Sequence, residues 1–427
     1  MRISIRTTLL ASAAALAAAE TQAGAFMIRE GSATYLGSAM AGRTSGDADI
    51  SYALHNPAAL RTVDRFAATA GAAGIFGAGD GVLGDGGDIA IPFAPPPAPP
   101  VSFDGTSDPN QAAVVPSFAV GWRAAEKLVL GLAVDSPFGL ATEYDEDFIA
   151  SFEGVRSELL TLTATPMASY DVAPGFTVAG GVMIQYADAE LSQRVAPGAF
   201  VPGDGVADVS GDGWDWGITL GALIEPTLTT TIGINFQSGF EHELEGGFSD
   251  DFDLSLAGGP DIGGNDGRAE FDLPALISLG ITQEITDRFR LLGEIEWTNW
   301  SAFQEIVITD RDTGFAIEDP QNYEDSFMVA LGAEYDVTDR LAVRGGAAFD
   351  ETPTTDASRT VRVPDGDRVW VSVGASYEIT ERIGVDAAYT YMNVADTSVE
   401  IDAPSPGRID YDDSQVHIVG LNLRYAF

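Results

Sequence analysis

Apolar and polar residues alternate along most of the chain. Between Leu341 and Phe349 the residues Leu341, Val343, Ala347 and Phe349 take the odd positions, while Arg344 and then Asp350 fall on even ones. Ile383, Val385, Ala387, Tyr389 and Tyr391 repeat the pattern against Arg382, Gly384, Asp386 and Thr390. From Val369 to Tyr377 the odd face is again apolar, and Ser372, Gly374 and Ser376 lie on the other. A period of two sustained over many segments predicts strands with one greasy and one polar face.

The connections between these strands are unequal in a regular way. Short turns fall near residues 124–127, 172–175, 226–228, 285–287, 337–339 and 379–381, and Glu284–Arg288, Asp336–Arg340 and Glu378–Arg382 share one pattern. Long polar connections lie between them, at about 78–112, 141–155, 194–211, 249–267, 311–323, 353–366 and 403–413. Long and short alternate throughout, which gives fourteen strands. Short turns on one side and long loops on the other mark a barrel in the outer membrane of a Gram-negative bacterium. Only a closed barrel satisfies the backbone of a strand protein in lipid. A soluble sandwich or propeller explains neither the asymmetry nor the last strand, where Val419, Leu421, Leu423, Tyr425 and Phe427 share a face. The expected fold is therefore all-β: a fourteen-stranded antiparallel transmembrane β-barrel over residues 65–427.

Residues 26–64 do not alternate. This stretch is rich in small residues, among them Gly37, Ser38, Ala39, Ala41 and Gly42, and it carries Asn56, Pro57 and Ala58. An even strand count puts both ends of the barrel on the periplasmic side, so the stretch can fold up into the lumen as a small helical hatch. Thin elements suit a lumen already filled by side chains. Upstream, Arg2 and Arg6 precede the apolar run Leu9–Ala19, and cleavage of this signal peptide is expected after Ala23 or Ala25. The run is too short for a spanning helix.

Composition narrows the function. The net charge is −42, with 64 acidic and 22 basic residues, so nucleic acid is excluded as a partner. With no cysteine there is no disulfide and no thiolate site. The acid concentrates in the long loops, for example Glu143, Asp145, Glu146 and Asp147, or Asp250, Asp251 and Asp253. These read as a solvated outer face; the sharper alternative is divalent-cation bridging to lipopolysaccharide. Hydrolysis would need a His-based site. The three histidines, His55, His242 and His417, have no recognisable Ser or acid partner, and no cofactor or metal motif is present. An enzyme is not expected.

Several short pieces together resemble the FadL-type long-chain fatty acid transporters of the outer membrane, whose relatives carry aromatic hydrocarbons. They are Gly24–Phe26, Gly37–Gly42, Asn56–Ala58, Phe138–Tyr144, Leu273–Pro274, Glu296–Phe303, Pro364–Trp370 and Tyr425–Phe427, in that order. The resemblance implies a fourteen-stranded barrel plugged by an N-terminal hatch. It implies passive uptake: a ligand binds in a lumenal pocket, the hatch moves, and the ligand leaves sideways through the wall. The partner is then a fatty acid, or alternatively an aromatic or alkane hydrocarbon, and the protein is a monomer among outer-membrane lipid and lipopolysaccharide. A general porin is the remaining rival.

Candidate site residues follow. Phe26, Met27 and Ile28 are placed at the pocket floor, and Asn56, Pro57 and Ala58 at the join of hatch and wall near the third strand. In that strand Asp135, Ser136, Pro137, Phe138 and Gly139 read either as its loop-side end or as a kink, since Pro137 gives no N–H and Gly139 weakens a strand. The resemblance implies a kink beside a lateral gate. For a carboxylate headgroup, Arg194 matches a ligand-contact position of the family after a shift of one residue, and Arg359 is a second candidate; another basic family position falls on Glu324. The lumen charges Arg290, Glu294, Glu296, Arg344, Asp350, Arg382 and Asp386 are expected to pair across the interior. Trp297 reads as a membrane-interface residue, and Trp300 as interface or pocket.

Overall fold

Fourteen strands close into one antiparallel barrel in the computed structural model. It describes residues 25–83, 104–110, 112–194, 206–250, 264–312, 314, 316–401 and 407–427. The predicted leader up to Gly24, with the cleavage position after Ala23, lies outside these residues, as do Asp251 and Asp253. In chain order the strands are β1 (Phe66–Ala78), β2 (Ala112–Ala125), β3 (Leu128–Asp135 and Gly139–Glu143), β4 (Arg156–Ala173), β5 (Phe176–Arg194), β6 (Val206–Thr227) and β7 (Thr230–Gln237 and Phe240–Asp250). There follow β8 (Gly264–Leu273 and Leu276–Thr286), β9 (Phe289–Thr298 and Glu305–Asp310), β10 (Ala316–Pro320 and Ser326–Thr338), β11 (Leu341–Asp350), β12 (Arg368–Glu378), β13 (Ile383–Val394) and β14 (Gln415–Ala426). Each pairs with the next, and β14 returns to β1 in a register running from Ala67↔Ala426 to Ala78↔Gln415. Closure leaves no strand edge to hydrogen-bond in lipid.

The alternation sorts residues as the pattern predicts. Val369, Val371, Val373 and Tyr377 of β12 are exposed on the outer surface, while Trp370 and Ser372 are buried inside. The same split gives exposed Val419, Leu421 and Leu423 on β14 beside buried Ile418 and Asn422. Leu331, midway along the second half of β10, is 70% exposed on the outer face. Leu331→Arg places a guanidinium in hydrocarbon and is expected to lower unfolding free energy in lipid vesicles by about 2–4 kcal/mol, measured by denaturant titration.

The lumen holds the hatch. It consists of one helical turn, α1 (Ala33–Leu36), and two 3₁₀ turns, Ile50–Leu54 and Pro57–Thr62. Ser32 caps α1, Asp49 caps the second turn and Asn56 the third, each side chain accepting from a backbone N–H two residues on. The wall admits this plug where it lacks side chains. A Cβ on Gly233 would lie 2.0 Å from the Thr44 carbonyl oxygen, and one on Gly346 would lie 2.0 Å from that of Ser38. Glycine at these wall positions lets hatch backbone approach wall backbone directly.

The extracellular end is closed by loops. Gly81–Leu83, Thr106–Ser107, Thr397–Ile401 and Gly407–Tyr411 form a second, four-stranded sheet. With the 3₁₀ turn Ile149–Phe152 it encloses an apolar cluster of Leu83, Phe148, Ile149, Val361, Ile401 and Ile409. Arg362 ties this cap to the barrel rim through Ser157 Oγ at 2.8 Å and the Arg156 carbonyl at 3.1 Å.

Candidate functional site

The third strand is interrupted from Ser136 to Phe138, and its two halves have different neighbours. The first half pairs with β2 only as far as Phe118↔Val134. The second half pairs with β4, from Gly139↔Leu160 to Glu143↔Arg156, and has no ladder to β2 among the described residues. Pro137 explains the start of this break, since it has no N–H for a ladder. The freed backbone groups are satisfied from inside. Thr161 Oγ donates to the Phe138 carbonyl at 2.6 Å and accepts from the Phe138 N–H at 3.0 Å. Ser136 Oγ donates to the Thr161 carbonyl at 2.6 Å.

The first hatch residues complete the seal. The Ile28 N–H donates to the Pro137 carbonyl at 2.8 Å, and the Gly139 N–H donates to the Phe26 carbonyl at 2.9 Å. Met27 and Phe138 therefore sit opposite each other as a two-residue antiparallel bridge. Phe26, Met27 and Ile28 thus lie directly on Pro137, Phe138 and Gly139. Behind them stands an aromatic cluster. The Phe26 ring meets Trp300 edge-on at 4.8 Å and Phe303 at 5.2 Å, and Tyr323 lies 5.0 Å from Phe303. Trp300 reaches this position because β9 breaks inward through the turn Trp300–Ala302.

A cavity of about 70 Å³ lies between the hatch and this break. That volume holds a few water molecules. Its apolar walls include Met167, Met183, Phe240 and Leu276, and its polar lining includes Arg29, Arg43, His55, Asp135, Gln237 and Glu296. Arg29 and Arg43 come from the hatch and converge on one wall carboxylate. Arg43 donates to Glu296 at 2.5 Å and Arg29 to Glu296 at 3.1 Å. Arg29 also donates to Asp350 at 3.2 Å, and Arg368 lies 3.6 Å from the same carboxylate and bonds Asp365. The Ala25 N–H donates to Asp365 at 2.8 Å. Beside this network, burial pushes the Glu30 carboxyl up from its ordinary value.

His55 Nε2 lies 2.9 Å from Ser278 Oγ, 3.1 Å from Thr44 Oγ1 and 4.0 Å from Glu296. Burial, with the nearby Arg43 and Arg29, pulls its pKa well below the usual histidine value. Serine and carboxylate approach the same ring nitrogen. A Ser–His–acid triad needs them on opposite nitrogens.

Most other expected residues fall elsewhere. Asn56 meets the wall at β6, where its Nδ2 donates to the Thr44 carbonyl at 2.7 Å and to the Ala222 carbonyl of β6 at 3.4 Å, and Pro57 beside it lines the cavity at the third-strand break. Arg194, at the extracellular end of β5, donates to the Glu146 carbonyl at 2.6 Å and lies over the Phe152 ring. Arg359 is held in the cap by the Asp365 carbonyl at 2.7 Å and Asp356 at 2.9 Å. Neither arginine lines the cavity. Arg382 is not in the lumen; it lies exposed at the periplasmic rim, over the ring of Phe427 at 4.6 Å, because the strand begins only at Ile383. Of the other lumen charges, Arg290 and Arg344 pair with Glu334 and Asp386 with Arg424, whereas Glu294 forms no ion pair among the described residues and accepts from the Thr44 N–H and hydroxyl.

Sequence reasoning missed the breaks at Ser238–Gly239, Pro274–Ala275 and Asn299–Gln304, and it missed Arg29 and Arg43 as lumen groups. Pro274 signalled the second break by the same logic as Pro137. The arginines gave no signal, since the hatch has no periodicity to say which way a side chain points.

Below the hatch a separate cavity of about 350 Å³ opens at the periplasmic end. Its lining is charged, with Arg288, Arg290, Arg340, Glu334, Asp336 and Glu378 among its groups.

Residues 14–427 match the family model of the outer membrane protein transport proteins, OMPP1/FadL/TodX. The 47 kDa outer membrane protein of Pasteurella multocida is 30% identical over 441 residues, covering 98% of each chain. The long-chain fatty acid transport protein of Salmonella typhi is 24% identical over 447 residues, with 98% of each chain covered. Among solved structures, a Pseudomonas aeruginosa FadL homologue superposes with a TM-score of 0.84 at 26% identity, over 95% of this chain and 100% of that one. The Pseudomonas putida toluene transporter TodX shares the fold, with a TM-score of 0.68 at 16% identity over 95% and 100% of the two chains.

Proposed function

Because the chain belongs to the OMPP1/FadL/TodX family of outer-membrane transporters of long-chain fatty acids or aromatic hydrocarbons, we propose that it takes up long-chain fatty acids passively, as a monomer among outer-membrane lipid and lipopolysaccharide. The acid enters the lumenal cavity, the hatch yields, and the ligand leaves sideways through the break in β3. One observation carries this reading: a cavity with apolar walls and two hatch guanidinium groups lies against the only wall break that the hatch N-terminus itself seals among the described residues.

The chemistry favours that route. An alkyl chain gains about 0.8 kcal/mol per CH₂ removed from water. The closed cavity of about 70 Å³ is too small for such a chain, so binding requires the hatch to move. Continuing straight down would carry the chain into the charged periplasmic cavity and return its CH₂ groups to water. A sideways exit delivers them to lipid. A carboxylate favours the fatty acid over a hydrocarbon, because Arg29 and Arg43 are charged donors that only an anion matches. Arg194 and its neighbour Phe152 then serve as a first contact at the extracellular surface.

Direct binding of labelled oleate and of labelled toluene to the purified protein tests the cargo. Saturable oleate binding with weak toluene binding is expected; the reverse order makes the protein a hydrocarbon transporter. In planar bilayers the plugged barrel should be nearly silent, and a large steady conductance would make it a porin.

A further inference from the structure

Arg43 and Arg368 both bury guanidinium N–H groups without a partner among the described residues, and of the two only Arg43 lines the cavity. It donates to Glu296 at 2.5 Å and lies in the field of the neighbouring Glu294. Its Nε is buried and has no hydrogen-bond partner among the described residues. Leaving a buried donor on a cation unmade is costly, and this donor belongs to a side chain that lines the cavity. Arg29, by contrast, is engaged by two carboxylates, Glu296 and Asp350. The other cavity neighbour on this side, His55, carries an imidazole and so no negative charge to compete for Arg43. On the opposite wall stands Asp135 at the strand break, which disfavours a carboxylate there.

Glu296 is also the wall end of the hatch attachment. Two hatch arginines share it, so whatever competes for Arg43 weakens the hold of β9 on the hatch. We propose that Arg43 is both the headgroup receptor and the latch: a ligand carboxylate takes the unfilled Nε edge of its guanidinium, displaces Glu296, and so frees the hatch. This rests on the uptake reading above and adds a discrimination to it. A ligand shifts a conformational equilibrium only by its differential affinity for the two states. An uncharged chain of the same length has nothing to exchange for Glu296, so the latch stays closed and the cavity stays too small to hold it.

The cysteine-free chain allows a direct test. Spin labels at Ala48→Cys on the hatch and Asp339→Cys on a periplasmic turn report their separation in lipid nanodiscs. Oleate should shift the distance distribution and oleyl alcohol should not. Arg43→Gln should lower oleate affinity about tenfold, the loss of one charge-assisted bond, and abolish the oleate-dependent shift. Glu296→Gln should shift the distribution without ligand. Where a lone Arg43 variant fails to assemble, Arg43→Gln with Glu296→Gln removes both charges together and should show the same loss of oleate preference. Native oleate affinity in either Arg43 variant, or an equal shift with oleyl alcohol, overturns the latch while leaving uptake intact. Binding of neither probe to the native chain overturns the uptake reading, and the latch with it.

Discussion

Phe26→Ala should undock the start of the hatch from the wall while the barrel stays folded. The ring is 3% exposed and wedged edge-on against Trp300 and Phe303, with Phe138 completing its surround. Truncating such a ring costs about 3–5 kcal/mol. Among the described residues two backbone hydrogen bonds tie residues 26–28 to the break, from the Ile28 N–H to Pro137 and from the Gly139 N–H to Phe26. Ala25 and Arg29 anchor the two ends of the segment through Asp365, Glu296 and Asp350, and the Phe26 ring is its main apolar tie between them. Hydrogen exchange at the Ile28 and Gly139 amides should accelerate by about two to three orders of magnitude, while amides of the β12–β13 ladder keep native protection. Unchanged exchange at both would show that the aromatic cluster does not hold the plug.

The wall was legible because a barrel repeats one physical demand on every strand. Val369, Val371 and Val373 must face lipid and Ser372 must not, so alternation, strand count and turn positions all appear in the residues. The break in β3 was legible for a local reason, the missing N–H of Pro137. Even there the sequence could not decide between a strand end and a kink. The pairing of Gly139–Glu143 with β4, and the Phe26 and Ile28 hydrogen bonds, make it an interruption within the strand.

The hatch was a different problem. Its packing is set by the wall around it, through contacts hundreds of residues distant, such as Arg29 to Glu296 and Ala33 N–H to Asn422 at 2.8 Å. Small residues announced a thin plug but not its orientation. For that reason nothing in the residues announces that Asn56 bonds β6 while Pro57 next to it lines the cavity at the β3 break. The headgroup candidates were sought in loops, where Arg194 and Arg359 are held by cap and rim carbonyls. The cations that face the cavity sit in the hatch.

Lateral exit is the central claim, and the bridge between Met27 and Phe138 offers a reversible way to block it. The flanking hydrogen bonds run from Ile28 to Pro137 and from Gly139 to Phe26, which makes 27 and 138 a non-hydrogen-bonded antiparallel pair. Such pairs have Cα atoms about 4.5 Å apart, within the range that a disulfide spans. The native chain has no cysteine to interfere. A Met27→Cys, Phe138→Cys variant, oxidised, ties the hatch N-terminus across the break and leaves the extracellular cap and the periplasmic cavity untouched. Uptake of labelled oleate into proteoliposomes or intact cells should fall to the background of cells lacking the protein, and should return on reduction of the same sample. Full uptake by the oxidised, disulfide-verified variant would contradict passage through the wall at β3.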